Sequence, residues 1–227
     1  MNAAPKGAVM GAIAVLAFIV PSLSAPALAD SGPTLVVDYT NAGLTPSHWV
    51  LTLSPDGTGH FRSERGNAPM DPSLGFEAPN VDRDVKVSPQ FASQVFQTIH
   101  LHRNLNIDCD SHMKVAFQGV KRLTYTGPDG SGSCEFNYAK LKDVQSMSES
   151  LVAVAGGILE GARLEVLLQH DRLGLDKEMN YLVEAVGDGR VQQIGAIREI
   201  LERLANDEGV MERVRKRART LLEQANG

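Results

Sequence analysis

Two cysteines and a run of imidazoles hold most of the chemistry this chain can offer. Cys109 and Cys134 are its only cysteines. A bridge between them would close a loop of about 25 residues, worth roughly 3–4 kcal/mol in the chain-entropy picture. Two free buried thiols, a redox pair or metal ligation are the alternatives. No Cys-x-x-Cys occurs, so a thioredoxin-like redox role has no support.

His100, His102 and His112 lie around Cys109, and His and Cys are natural zinc ligands. The spacing matches no specific zinc pattern, and a disulfide would remove the thiolate. On a helix, positions 100 and 102 point about 200° apart. The expectation is that Ile99 and Leu101 pack, that the imidazoles are solvated, and that no metal or cofactor is held.

Nucleophilic hydrolysis needs a Ser or Cys held against a base. The G-x-S-x-G elbow is absent, and Gly130-Ser131-Gly132-Ser133 reads as a hairpin turn. His60 and His170 with Asp171 could be assembled into a triad only on paper. The pairs Asp82/Asp84 and Asp108/Asp110 lack the acceptor-rich loop of a calcium hand. Near the C-terminus, Arg213, Arg215, Lys216, Arg217 and Arg219 sit beside an apolar stripe. Such a helix can meet an anionic membrane or an acidic partner; a solvated face with cations favoured by the helix dipole is the simpler reading.

The address comes from the first 29 residues. Lys6 supplies the charged start, Ala8 to Val20 run without a charged side chain, and Ala27-Leu28-Ala29 offers small residues to a signal peptidase. Thirteen apolar residues fall short of the ~20 a membrane span needs. Residues 1–29 are therefore expected to be a removed signal peptide, cut between Ala29 and Asp30, with export to the periplasm or the exterior. The 22 basic residues less Lys6 then face 27 acidic ones, a net charge of −6. Nucleic-acid binding, which needs a basic footprint, is disfavoured. No membrane-spanning stretch follows, and an oxidising compartment favours the disulfide.

These residues must be positioned by an α+β fold. Residues 33–139 read as a small antiparallel sheet of hairpins with a covering helix, and residues 140–225 as a helical region packed on it or forming a small bundle. Strands are expected at Thr34 to Tyr39, His48 to Leu53 and Thr58 to Arg62, around the Ser54-Pro55-Asp56-Gly57 turn. Glu64 to Asn80, with three prolines, reads as a long surface loop. Ser88-Pro89 is a capped helix start, and Phe91, Val95, Phe96 and Ile99 share one face up to about His102. Val115 to Phe117 and Arg122 to Tyr125 are expected to be extended. Gly127-Pro128-Asp129-Gly130 turns the chain, and Gly132 to Tyr138 runs back. The two hairpins echo each other, by duplication or by shared turn chemistry.

From Leu141 the apolar spacing is helical. A break is expected at Gly156-Gly157, a C-cap at Gly174, an N-cap at Asp176, an end at Gly187-Asp188-Gly189, and two last helices separated at Asn206-Asp207.

No constellation specifies a reaction. The expectation is an exported, non-catalytic protein that binds a partner or small molecule, or has a structural part, in the envelope or outside the cell. The alternative is an exported hydrolase or metal-dependent enzyme whose site is assembled from residues distant in sequence.

Overall fold

The computed structural model describes Met1, residues 32–64 and residues 80–225. The expected signal peptide, its Ala29–Asp30 cleavage point and the loop from Glu64 to Asn80, apart from its two end residues, lie outside the described residues. The fold is α+β. Six antiparallel strands are followed by helices, as the alternating and then helical hydropathy requires.

The strands are β1 (Thr34–Thr40), β2 (His48–Leu53), β3 (Thr58–Glu64), β4 (Val81–Lys86), β5 (Val120–Gly127) and β6 (Gly130–Phe136), in the sheet order β4-β3-β2-β1-β5-β6. A strand presents alternate side chains to opposite faces. Leu35, Val37, Trp49, Leu51, Phe61, Leu123, Tyr125 and Phe136 therefore share one buried face. The other face carries ion pairs such as Arg122–Glu135 and is open to water, which an antiparallel sheet tolerates. The two echoing hairpins, β2–β3 and β5–β6, flank β1, but Leu53 pairs with Gly59 across a five-residue connection whereas Gly127 pairs with Gly130 across two residues.

Helix α1 (Pro89–Leu101), which lies between β4 and β5 in the chain, packs into the sheet core, with the Phe96 ring edge-on to Tyr125 of β5. Ser88 caps it, accepting from the Phe91 N–H at 3.2 Å, and Pro89 opens it. Phe91, Ala92, Val95, Phe96 and Ile99 form its buried stripe.

Helix α2 (Lys142–His170) is continuous for 29 residues, about 43 Å. The expected break at Gly156-Gly157 is absent. Gly157 and the next glycine on that face, Gly161, lie where the later segment 191–197 crosses the helix. A Cβ at Gly157 would crowd Val191, and one at Gly161 would collide with Ile197. These glycines give close approach, not a breakpoint. The buried residues of α2 from Val144 to Ala162 join the sheet core, and Leu164, Leu167 and Leu168 join a second core.

That second core packs α3 (Gly174–Gly187), a 3-10 turn at Ile194–Ile197, α4 (Arg198–Asn206) and α5 (Glu212–Gln224). Three local expectations need correction. Helix α2 ends at Asp171, so Gly174 begins α3 instead of capping the helix before it. Asp176 lies in the first turn of α3 and caps nothing. Residues 115–117 form no strand, and β5 starts at Val120 instead of Arg122. β4 was not foreseen at all. Among the described residues, no helix is long and apolar enough to cross a membrane.

Candidate functional site

Cys109 and Cys134 form a disulfide, with their Cα atoms 5.6 Å apart and both side chains buried. Cys134 faces inward from β6, so the bridge pins the chain after α1 to the sheet. The Lys140 N–H donates to the Cys109 carbonyl at 2.7 Å, and the Ser111 N–H donates to the Tyr138 carbonyl at 3.0 Å. The cysteines are spent on structure and hold no thiolate for a ligand.

Residues 103–105 make a sharp left-handed reversal after α1, with φ of 55° at Arg103, 58° at Asn104 and 65° at Leu105. Non-glycine residues rarely adopt this backbone, and in succession more rarely still. The reversal buries Leu105 completely and returns Asn104 toward the β5–β6 turn. Gly132 makes room, because a Cβ there would strike the Asn104 carbonyl.

A polar network closes over this reversal. His100 Nδ1 lies 3.0 Å from Asn104 Oδ1 and 3.1 Å from Asp129 Oδ2. The Tyr125 hydroxyl donates to Asp129 Oδ1 at 2.5 Å. Accepting from Tyr125 holds the Asp129 carboxyl below its ordinary range. Burial, then the bond to Asp129, pushes the Tyr125 phenol up to about 12.

His102 turns the other way, to α2. Its Nε2 is 2.6 Å from Asp143 Oδ2, and this bond lowers the Asp143 pKa. His112 lies 4.0 Å from Asp108 and 3.8 Å from Asp110. The three imidazoles proposed as a cluster thus have separate carboxylates, and among the described residues no three His, Cys, Asp or Glu side chains are placed to hold a metal. His48 with Asp38, and His60 with Asp82 and Asp84, repeat the pattern.

His60 is the most enclosed of these by charge. Its two ring nitrogens each stand 2.9 Å from a carboxylate of β4, Nε2 from Asp82 and Nδ1 from Asp84. Only the doubly protonated ring donates to both. The bond to Asp84 is the main cause that raises the His60 pKa. The sequence offers a signal in retrospect: Asp82-x-Asp84 on a strand puts both carboxylates on one face.

The basic residues of α5 are mostly engaged within the molecule. Arg213 Nε and Arg217 Nη1 each reach Asp176 Oδ1 at 2.7 Å, and Arg217 also reaches Asn180 Oδ1 at 3.3 Å. The Arg217 bond is the largest cause lowering the Asp176 pKa. Arg215 and Arg219 pair with Glu212 in the first turn of α5. Lys216 is exposed. The arginine row clamps α5 to α3, a tertiary pairing that helical periodicity does not reveal.

A groove of about 500 Å³ runs between α1 and the first turns of α2. Phe91, Val95 and Met147 form its floor. Gln94, Thr98, Ser146 and Ser150 present neutral polar groups, and Lys142 and Asp143 stand at one end. Among the described residues, the Gln94, Ser146 and Ser150 side chains have no hydrogen-bond partner. Asp143, at this end of the groove, is also the partner of His102, which does not itself line the groove. Sequence reading missed it because α1 and α2 are separated by 40 residues and the serines lie on the polar side of a helical stripe. The volume lies within the range spanned by small-molecule pockets.

The chain matches no protein-family model, and no curated protein matches it in sequence.

Proposed function

We propose that the chain is an exported, non-catalytic binding protein whose ligand lies in the α1–α2 groove. The carrying observation is the groove itself: an apolar floor of Phe91, Val95 and Met147 under unengaged amide and hydroxyl groups. That lining suits a neutral ligand rich in amides or hydroxyls, such as a short peptide segment. It offers one cation and one anion, so it has no preference for a highly charged ligand. Export is supported by the leader-like residues 1–29 and by the Cys109–Cys134 bridge, which oxidising compartments allow.

The test is a thermal-shift and equilibrium-dialysis screen with N-acetylated, C-amidated tripeptides. Saturable binding that Ser146→Trp abolishes supports the groove; no binding by any such peptide, or binding unchanged by Ser146→Trp, overturns it.

The short His102–Asp143 contact favours a second reading, an exported hydrolase. An imidazole oriented by a carboxylate is a general base, and this one adjoins a groove. Cleavage of the same blocked peptides, lost in His102→Gln with binding retained, would establish that reading over the first.

A further inference from the structure

The sheet has two edges, and they differ in chemistry. β4 reads Val-Asp-Arg-Asp-Val-Lys, and charges of this density blunt an edge against other chains. β6 reads Gly-Ser-Gly-Ser-Cys-Glu-Phe, with one charge and neither Lys nor Pro. Gly127 and Gly130 close a two-residue loop. Antiparallel alternation then turns the backbone groups of Gly132, Cys134 and Phe136 toward β5 and those of Ser131, Ser133 and Glu135 outward. Among the described residues, no backbone group pairs with these outward N–H and C=O groups.

A second observation lies at the end of the strand. Asn137 accepts from the Gln118 N–H at 2.7 Å and donates to the Ala116 carbonyl at 3.3 Å. This clamp holds out a segment on which Met113 and Phe117 are each 62% exposed. A bare edge and exposed apolar side chains at its end together describe a docking strand.

We propose that the occupant is a second copy of this chain, pairing its own β6 antiparallel across a two-fold axis at Ser133. The sequence suits self-pairing. With Ser133 opposite itself, all three outward-facing residues bond, and Glu135 falls opposite Ser131 of the second copy, so no like charges meet. Gly132 falls opposite Cys134. The second copy's Pro128-Asp129 turn comes level with Asn137, beside the exposed Phe117. The result is one continuous sheet through both copies, with closed symmetry of the commonest kind.

Sedimentation equilibrium on the purified chain tests this, with circular dichroism to verify each variant's fold. A monomer–dimer equilibrium is expected in the micromolar range. Ser133→Lys sets two cations against each other at the axis and should weaken the dimer about tenfold or more. Ser131→Lys faces Glu135 of the second copy and should tighten it about threefold. A chain that stays monomeric to about 0.5 mM, where a dimer of micromolar Kd would be almost fully formed, overturns the proposal. So does a dimer that neither substitution alters, because it must use another surface.

Discussion

Arg83 grips Glu165 with both terminal nitrogens of its guanidinium, Nη1 to Oε1 at 3.0 Å and Nη2 to Oε2 at 2.7 Å. The pair ties the edge strand β4 to the C-terminal turns of α2, and each side chain is about one-third exposed or less. The planar fork makes this geometry unavailable to lysine. Arg83→Lys and Glu165→Ala should each lower unfolding free energy by about 1–2 kcal/mol, reduced from the buried-pair range by their partial exposure. Urea denaturation of both single variants and the double variant measures it. A coupling energy near zero in that cycle would mean that the fork contributes nothing.

The disulfide should contribute about 3–4 kcal/mol for its 25-residue separation. Cys109→Ser with Cys134→Ser is expected to lower the unfolding free energy from urea denaturation by that amount, and reductant should do the same to the unaltered chain. Thiol titration under denaturing, non-reducing conditions should find no reactive thiol. Two would disprove the bridge.

Stability should peak in mildly acidic solution. Glu160 is buried between α2 and α3 beside Glu178, and burial first, then Glu178, pushes its carboxyl from 4.5 up to about 8. The folded chain therefore keeps a proton that the unfolded chain releases, and stability falls as pH rises from about 4.5 to 8. His60, raised above 6.5 by Asp84, acts in the same direction: its contribution is present below 6.5 and lost as pH rises through its folded value. Asp129 and Asp143, both lowered from 3.8, impose the opposite limit, losing their contribution as pH falls through their folded values. Denaturation free energies measured every half unit should reach a maximum at about pH 4–5, and Glu160→Gln should flatten the alkaline decline. A decline of unchanged slope in that variant would remove Glu160 as its source.

Asp176 is the anchor of α5. Asp176→Ala strands Arg213 and Arg217 together, so the amides of Glu212–Gln224 should exchange faster with deuterium while those of the sheet do not change. The freed arginines should also raise binding to anionic vesicles in low salt. Uniform exchange across both cores would contradict a local anchor.

Gly161 should accept no side chain. Its missing Cβ is the space that Ile197 fills. Gly161→Leu should cost about 1–3 kcal/mol from overpacking, despite leucine's better helix propensity. A thermal midpoint that rises in this variant would mean that the crossing relaxes freely.

The alternation of β1 and β2 was readable because each puts apolar residues at every second position, as in Leu35, Val37 and Tyr39, and β3 was readable as the return across the Pro55-Asp56-Gly57 turn. The capped start of α1 was readable because Ser88 and Pro89 act locally. β4 escaped because Arg83 occupies an inward position where the pattern calls for an apolar residue; its charge is answered by Glu165, 82 residues away. The length of α2 escaped for a similar reason, since Gly157 and Gly161 are explained only by residues 191–197. The cysteine pairing required only two candidates. The groove and the His102–Asp143 contact required knowing that α1 lies against α2, which no local rule supplies.

Helix α2 has a consequence for inheritance. Its first half is interior to the sheet core and its last turns are interior to the helical core. A recombination joint placed between Val144 and Ala162 would therefore put foreign residues into the sheet core, and one between Leu164 and Leu168 would do the same to the helical core. The C-terminal helices cannot be traded between proteins as a cassette unless the last turns of α2 travel too, and a donor's helix must still continue the α2 that covers the sheet. The chain is expected to descend as one indivisible piece, with its variation collected in the loops at either end of that helix.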